Sequence, residues 1–135
     1  MPSFVTYNSL FQTFAIKPTN PATDLGIFIV KGTMSDSRLS SDFDFKIEVF
    51  NSPPHLKERL AEQTVKLGVL STYTLPSIQD EEGLAVKISP QLPLPSFTEY
   101  DAATKTFKFA ANKTRELGRY TIAVCFSDGY SAEQC

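Results

Sequence analysis

The 135-residue chain has no tryptophan, one histidine, and only two cysteines and two methionines. The lone histidine, His55, lies beside Pro53-Pro54 in what reads as a linker, so a Ser-His-Asp or Cys-His relay would have to be built around a linker residue. Adjacent acids such as Glu81-Glu82 point apart on a turn, and no second acid is spaced to act across a substrate. Glycine-rich phosphate loops and paired metal-ligand spacings are missing as well. From these absences we expect no active site and no enzyme. An excess of basic residues is also lacking: 13 Lys and Arg against 15 Asp and Glu leave a net charge of −2, which gives neither nucleic acid nor an anionic membrane a surface to bind. No apolar run is long enough to span a bilayer, and Met1-Pro2-Ser3 lacks the charged and apolar regions of a signal peptide.

What is present is aromatic and turn-rich. Eleven Phe, five Tyr and nine Pro, set between short apolar runs, favour strands over helices and predict an all-β chain. The clearest pattern is Phe43, Phe45, Ile47 and Val49 alternating with Asp42, Asp44, Lys46 and Glu48, a strand with one wet face. Alternation also predicts strands over Ser3 to Tyr7, Gln12 to Ile16, Ile27 to Met34, Ser71 to Leu75, Leu84 to Ile88, Ser96 to Tyr100 and Thr104 to Phe109. After Gly118, a further strand is expected to turn Tyr120, Ile122, Val124 and Phe126 inward. Lys17 to Asp24 reads as a loop in which Pro18 and Pro21 exclude both helix and central strand. Lys57 to Gln63 is charged but sits where a first edge strand belongs, with Val65 and Leu67 able to start it.

Two stretches of the chain are copies of each other. Pro2-Ser3-Phe4-Val5-Thr6-Tyr7 recurs as Pro95-Ser96-Phe97-Thr98-Glu99-Tyr100, Thr13-Phe14 as Thr106-Phe107, Leu25-Gly26 as Leu117-Gly118, and Ser35-Asp36 as Ser127-Asp128. The register slips by a single residue in the loop before Asn20, which falls opposite Asn112. A period of roughly ninety residues suits a β-sandwich module. The expected organisation is therefore the C-terminal half of one module over residues 1–50, a proline-rich junction over 51–55, and most of a second module, without its last strand, over 56–135. On this reading the chain is an excerpt of a longer array.

Leu94-Pro95-Ser96-Phe97, Tyr100-Asp101-Ala102-Ala103-Thr104-Lys105-Thr106-Phe107, Leu117-Gly118-Arg119-Tyr120-Thr121-Ile122 and Ser127-Asp128-Gly129 together resemble the cadherin-like repeats of the dystroglycan type. The resemblance covers nearly the whole chain in two registers. It implies an immunoglobulin-like or cadherin-like antiparallel β-sandwich, repeated in tandem on a large extracellular or cell-surface protein. Its partners would be neighbouring modules of the same parent chain or other copies. Gly118-Arg119-Tyr120 and Gly26-Ile27-Phe28 also resemble the corner that leads into strand F of immunoglobulin domains, where a buried Tyr hydroxyl ties down the preceding loop; Phe28 would lack that bond. Ile122 stands where an antibody-type domain has cysteine.

The resemblance also implies a site. Asp80, Glu82 and Asp128 match positions at which cadherins hold calcium between modules, and converging carboxylates suit a hard cation. The cadherin linker adds Asx-rich ligands, whereas this one offers only Asn51 before two prolines, and acids in turns also serve simply as turn formers. Both readings stay open, as do a disulfide and free thiols for Cys125 and Cys135, which flank a predicted hairpin turn. Asn112-Lys113-Thr114 is a sequon, an acceptor for a glycan if the chain is secreted. The expected role is structural or adhesive. Two others compete: a carbohydrate- or ligand-binding module, which needs exposed rings at Phe11, Tyr73 or Tyr130, and an intracellular filament or scaffold component.

Overall fold

A computed structural model describes all of residues 1–135. Strand dominates, distributed over five small antiparallel sheets, and helix is confined to single turns. The chain divides between Asn51 and Ser52 into two compact units.

Unit 1 consists of two hairpins. β1 (Val5–Asn8) pairs with β2 (Thr13–Ile16), and β3 (Gly26–Ser35) pairs along its whole length with β4 (Ser40–Val49). Between β2 and β3 lies α1 (Pro21–Asp24), a single helical turn where the prolines were expected to exclude helix. Pro21 opens that turn, where a missing N–H is harmless, and Asn20 caps it by accepting from the Ala22 amide at 3.0 Å. Phe4, Val5, Val30 and Ile47 form the buried core, with Phe14, Phe28, Phe45 and Val49 packed against it. β4 keeps the predicted wet face. β3, expected as a core strand, buries one face only: Val30 is covered, while Ile27 and Ile29 lie exposed on the other side.

Unit 2 is larger. β5 (His55–Leu56) pairs with β7 (Ile78–Gln79); β6 (Ser71–Thr74) and β9 (Thr98–Asp101) flank β10 (Thr106–Phe109); and β8 (Lys87–Pro90) pairs with β11 (Val124–Ser127). Leu75, Phe107, Phe109 and Val124 are its core. One predicted strand does not form, and the one expected after Gly118 forms only in its second half, as β11. Residues 57–70 make no ladder, and are held instead by isolated bonds such as Gly68 N to Ala111 O at 2.7 Å. Residues 119–123 precede the ladder that starts at Val124, and Tyr120 is 46% exposed rather than inward-facing. The stretch that would continue β8 contains Pro93 and Pro95, which have no N–H to give, so pairing stops one bond beyond Pro90. Where those two segments fail to zip, a cavity of about 620 Å³ reaches Phe107 and Phe109 between Leu67, Tyr73, Tyr120 and Ile122.

Candidate functional site

The side chains that carry polar chemistry in this protein mostly bind its own backbone, and they do so twice. In unit 1 the Val5 amide donates to Pro2 O at 3.1 Å and the Lys17 amide to Phe4 O at 2.9 Å; in unit 2 Thr98 donates to Pro95 O at 2.9 Å and Ala110 to Phe97 O at 2.8 Å. Asn8 Oδ1 accepts from the amides of Leu10 and Phe11, as Asp101 Oδ1 accepts from those of Ala103 and Thr104. Each turn closes on a left-handed residue, Gln12 at φ 52° and Lys105 at φ 53°. Tyr7 tilts against Phe14 at 4.8 Å, and Tyr100 against Phe107 at 4.7 Å.

The copy continues through the loop that follows. Asp24 Oδ2 accepts from the amides of Thr19 and Asn20 at 2.8 and 2.9 Å, and Glu116 Oε2 from those of Asn112 and Lys113 at the same distances. The Asn20 and Thr19 amides hold the Asp24 carboxyl below its usual range, and the Lys113 and Asn112 amides do the same for Glu116. The repeated Leu-Gly step then needs glycine, because Gly26 and Gly118 both take positive φ, 125° and 155°. Phe28 meets Phe4 edge-on at 4.9 Å, and Tyr120 meets Phe97 in the same way at 5.0 Å. The Tyr120 hydroxyl also donates to Glu116 O at 3.1 Å, so the corner bond forms although the ring is half exposed.

The last repeated turn is an Asx turn. Asp36 Oδ1 accepts from the amides of Arg38 and Leu39; Asp128 Oδ1 accepts from those of Tyr130 and Ser131, both at 2.8 Å. Beyond it, Thr33 and Asp42 face each other in the β3–β4 ladder and share a hydrogen bond of 2.7 Å. At the matching place in unit 2, beside the Phe126–Gln134 bridge, Cys125 and Cys135 are joined by a disulfide.

Against this background each of the three candidate calcium ligands accepts hydrogen bonds from the protein itself, and one oxygen of Asp80, Oδ2, is buried without a partner. Asp80 Oδ1 accepts from the Leu84 amide at 2.8 Å, Glu82 accepts from the Ser52 amide at 3.0 Å, and both oxygens of Asp128 accept from the Ser131 hydroxyl. The cavity of about 340 Å³ beside Asp80 is lined by Lys57 and Lys105, cations that oppose a second cation there. The one group of three metal-capable side chains is Cys125, Glu133 and Cys135, whose sulfurs are bonded to each other and offer no thiolate.

The remaining candidates fall on the surface. Asn112 is exposed beside the one-turn 3-10 helix Thr114–Glu116. Phe11 is 70% and Leu10 82% exposed at the tip of the β1–β2 turn. Tyr73 is half-buried, and its hydroxyl accepts from the Ala61 amide at 3.0 Å; Tyr130 is exposed, and so is His55. Sequence reasoning missed the Asp24 and Glu116 clamps, whose signal was an acid four residues after an asparagine in both copies. No helix is long and apolar enough to cross a membrane. No protein-family model matches the chain, and a search of curated proteins finds no similar sequence.

Proposed function

We propose that the chain is a structural or adhesive element: two units of one β-sandwich type, similar to cadherin-like repeats of the dystroglycan type, acting non-catalytically in a tandem array on an extracellular or cell-surface protein. The observation that carries this reading is the duplicated set of backbone-binding turns. The acids and amides of these turns rigidify a module and its corners, as a load-carrying spacer requires. The disulfide and the exposed sequon at Asn112 favour an oxidising, secretory compartment over an intracellular scaffold. Rigidity in this proposal comes from carboxylate-capped turns and the disulfide, without calcium.

Mass spectrometry of the natively purified parent protein tests the compartment. A glycan on Asn112 within a larger mass supports the array, whereas an unmodified Asn112 with reduced cysteines favours the intracellular alternative. Calcium titration tests the rest: the melting temperature should stay constant, and a rise of several degrees would restore the cation site at Asp80, Glu82 and Asp128. The exposed Leu10-Phe11 tip supports a second reading, a ligand-binding module, because an unshielded ring at a loop tip suits stacking on a carbohydrate face. Glycan-array binding that Phe11→Ala abolishes would favour it.

A further inference from the structure

Unit 2 shows what this kind of module sets on the edges that unit 1 leaves open. β10 is a central strand with β9 on one edge and β6 on the other, while its counterpart β2 pairs with β1 alone. β11 pairs with β8 on one edge and touches Gln134 on the other; its counterpart β3 has only the second kind of partner, β4. The apolar side chains beside those open edges are uncovered to match. Ile16 is 47% exposed where Phe109 is 7%, and Met34 is 61% exposed where Phe126 is half-buried.

We propose that unit 1 is completed by a strand–turn–strand segment of the same type as this chain's own Ser71–Pro90, donated by a segment other than the one unit 2 already holds, which pairs antiparallel with β2 and β3. The register carries over from unit 2. The donor residue at Tyr73's place lies opposite Phe14, that at Ser71's place opposite Ile16, and that at Ile88's place opposite Met34. Main-chain bonds supply affinity, and the alternating apolar side chains of the donor fill the places that Tyr73 and Ile88 fill in unit 2. Unpaired apolar edges of this length invite such pairing. A second copy of the chain is the poorer donor: withdrawing its Ser71–Pro90 would open in unit 2 the same edges that it closed in unit 1.

The test extends the full chain with an additional copy of residues 52–94 placed directly before Pro2, as residues 52–94 precede Pro95. Amide hydrogen exchange is then read residue by residue. The amides on the open edges of β2 and of Gly32 to Ser35 should slow by about tenfold or more, with unit 2 unchanged. Tyr73→Asp with Ile88→Asp, made in the added copy only, should return them to their original rates. A synthetic peptide of residues 69–91 added to the unextended chain repeats the measurement in case the extension misfolds, and should slow the same amides. Unchanged edge amides at saturating peptide overturn the proposal. So does protection of the unextended chain that grows with protein concentration while β10 and β11 lose theirs, because that assigns the edges to a second copy.

Discussion

Thr33 and Asp42 share a hydrogen bond across one hairpin; at the matching position of the other unit, Cys125 and Cys135 share a disulfide. The same substitution of chemistry at a kept geometry recurs at the corner, where Phe28 packs edge-on without a hydroxyl and Tyr120 packs edge-on and donates to Glu116 O. It recurs at the first turn, where Asn8 and Asp101 cap the same amides. The two units thus agree in backbone hydrogen bonding and differ in how their cores are covered. What is conserved inside this chain is the scheme of turns. The cross-strand pairs are interchangeable, because two facing ladder positions accept any pair that bridges them, whether exposed as Thr33 is or buried as Cys125 is.

The difference in covering can be broken most forcefully at the central phenylalanines. Phe107 is 3% exposed in a three-stranded sheet, and Phe107→Ala should destabilise unit 2 by about 3–5 kcal/mol. Phe14→Ala, at the half-buried counterpart, should destabilise unit 1 by about half as much. Urea titration followed by unit-resolved NMR separates the two effects, and equal losses would mean that the open edges of unit 1 are covered in solution. Next come the cross-strand pairs. Replacing Cys125 and Cys135 together by serine should lower the stability of unit 2 by about 2–3 kcal/mol, whereas Thr33→Val should lower that of unit 1 by about 1 kcal/mol. The same titration measures both.

Gly32 tests a feature that unit 1 has alone. It lies across the ladder from Phe43, and a Cβ there would run into the Phe43 ring. Gly32→Ala should therefore force the ring aside and destabilise unit 1 by about 1–3 kcal/mol, which a lower urea midpoint would register. Tyr120→Phe makes the corner of unit 2 like that of unit 1, and should lower the unit 2 midpoint by about 0.5–1 kcal/mol. A loss above about 2 kcal/mol would mean that the hydroxyl does more than hold Glu116 O.

The smallest effect per group is on pH dependence. Asp24, Asp36 and Glu116 are held below the usual carboxylate range by backbone amides, for Asp36 chiefly that of Leu39, and Asp101 is held low first by the Thr104 hydroxyl and then by the Ala103 amide. A folded-state value below the unfolded one gives stability that is complete above the ordinary carboxylate range and is lost as pH falls through the lowered values. Both units should therefore hold constant midpoints from neutral pH to about 5 and weaken together below it. Asp36→Asn, which keeps an oxygen to accept from the turn amides but does not ionise, should make unit 1 less sensitive to acid than unit 2.

Much of this was legible without coordinates. The repeated Pro-Ser-Phe, the Leu-Gly step and the Ser-Asp turn mark residues whose partners lie within about five positions, and such bonds are written locally. The alternation from Phe43 to Val49 set the wet face of β4 because strand periodicity needs no knowledge of a partner. Other features were illegible for the opposite reason. Residues 119–123 carry strand-like side chains, yet a ladder needs a second backbone with free donors, and Pro93 and Pro95 remove them from a distance. Pro21 misled in the other direction, since the same ring that breaks a helix interior suits its first turn.

The sequence by itself determined the duplication, the all-β character and the identity of the turn formers, because each rests on residue type at short range. The tertiary structure alone decided which predicted strands pair, that Cys125 meets Cys135, that Asp80 and Asp128 accept from amides of their own turns while Glu82 accepts from Ser52, and that β2 and β3 keep open edges. Those outcomes depend on which distant segments supply backbone partners, and the pairing of distant backbones is a property of the folded chain.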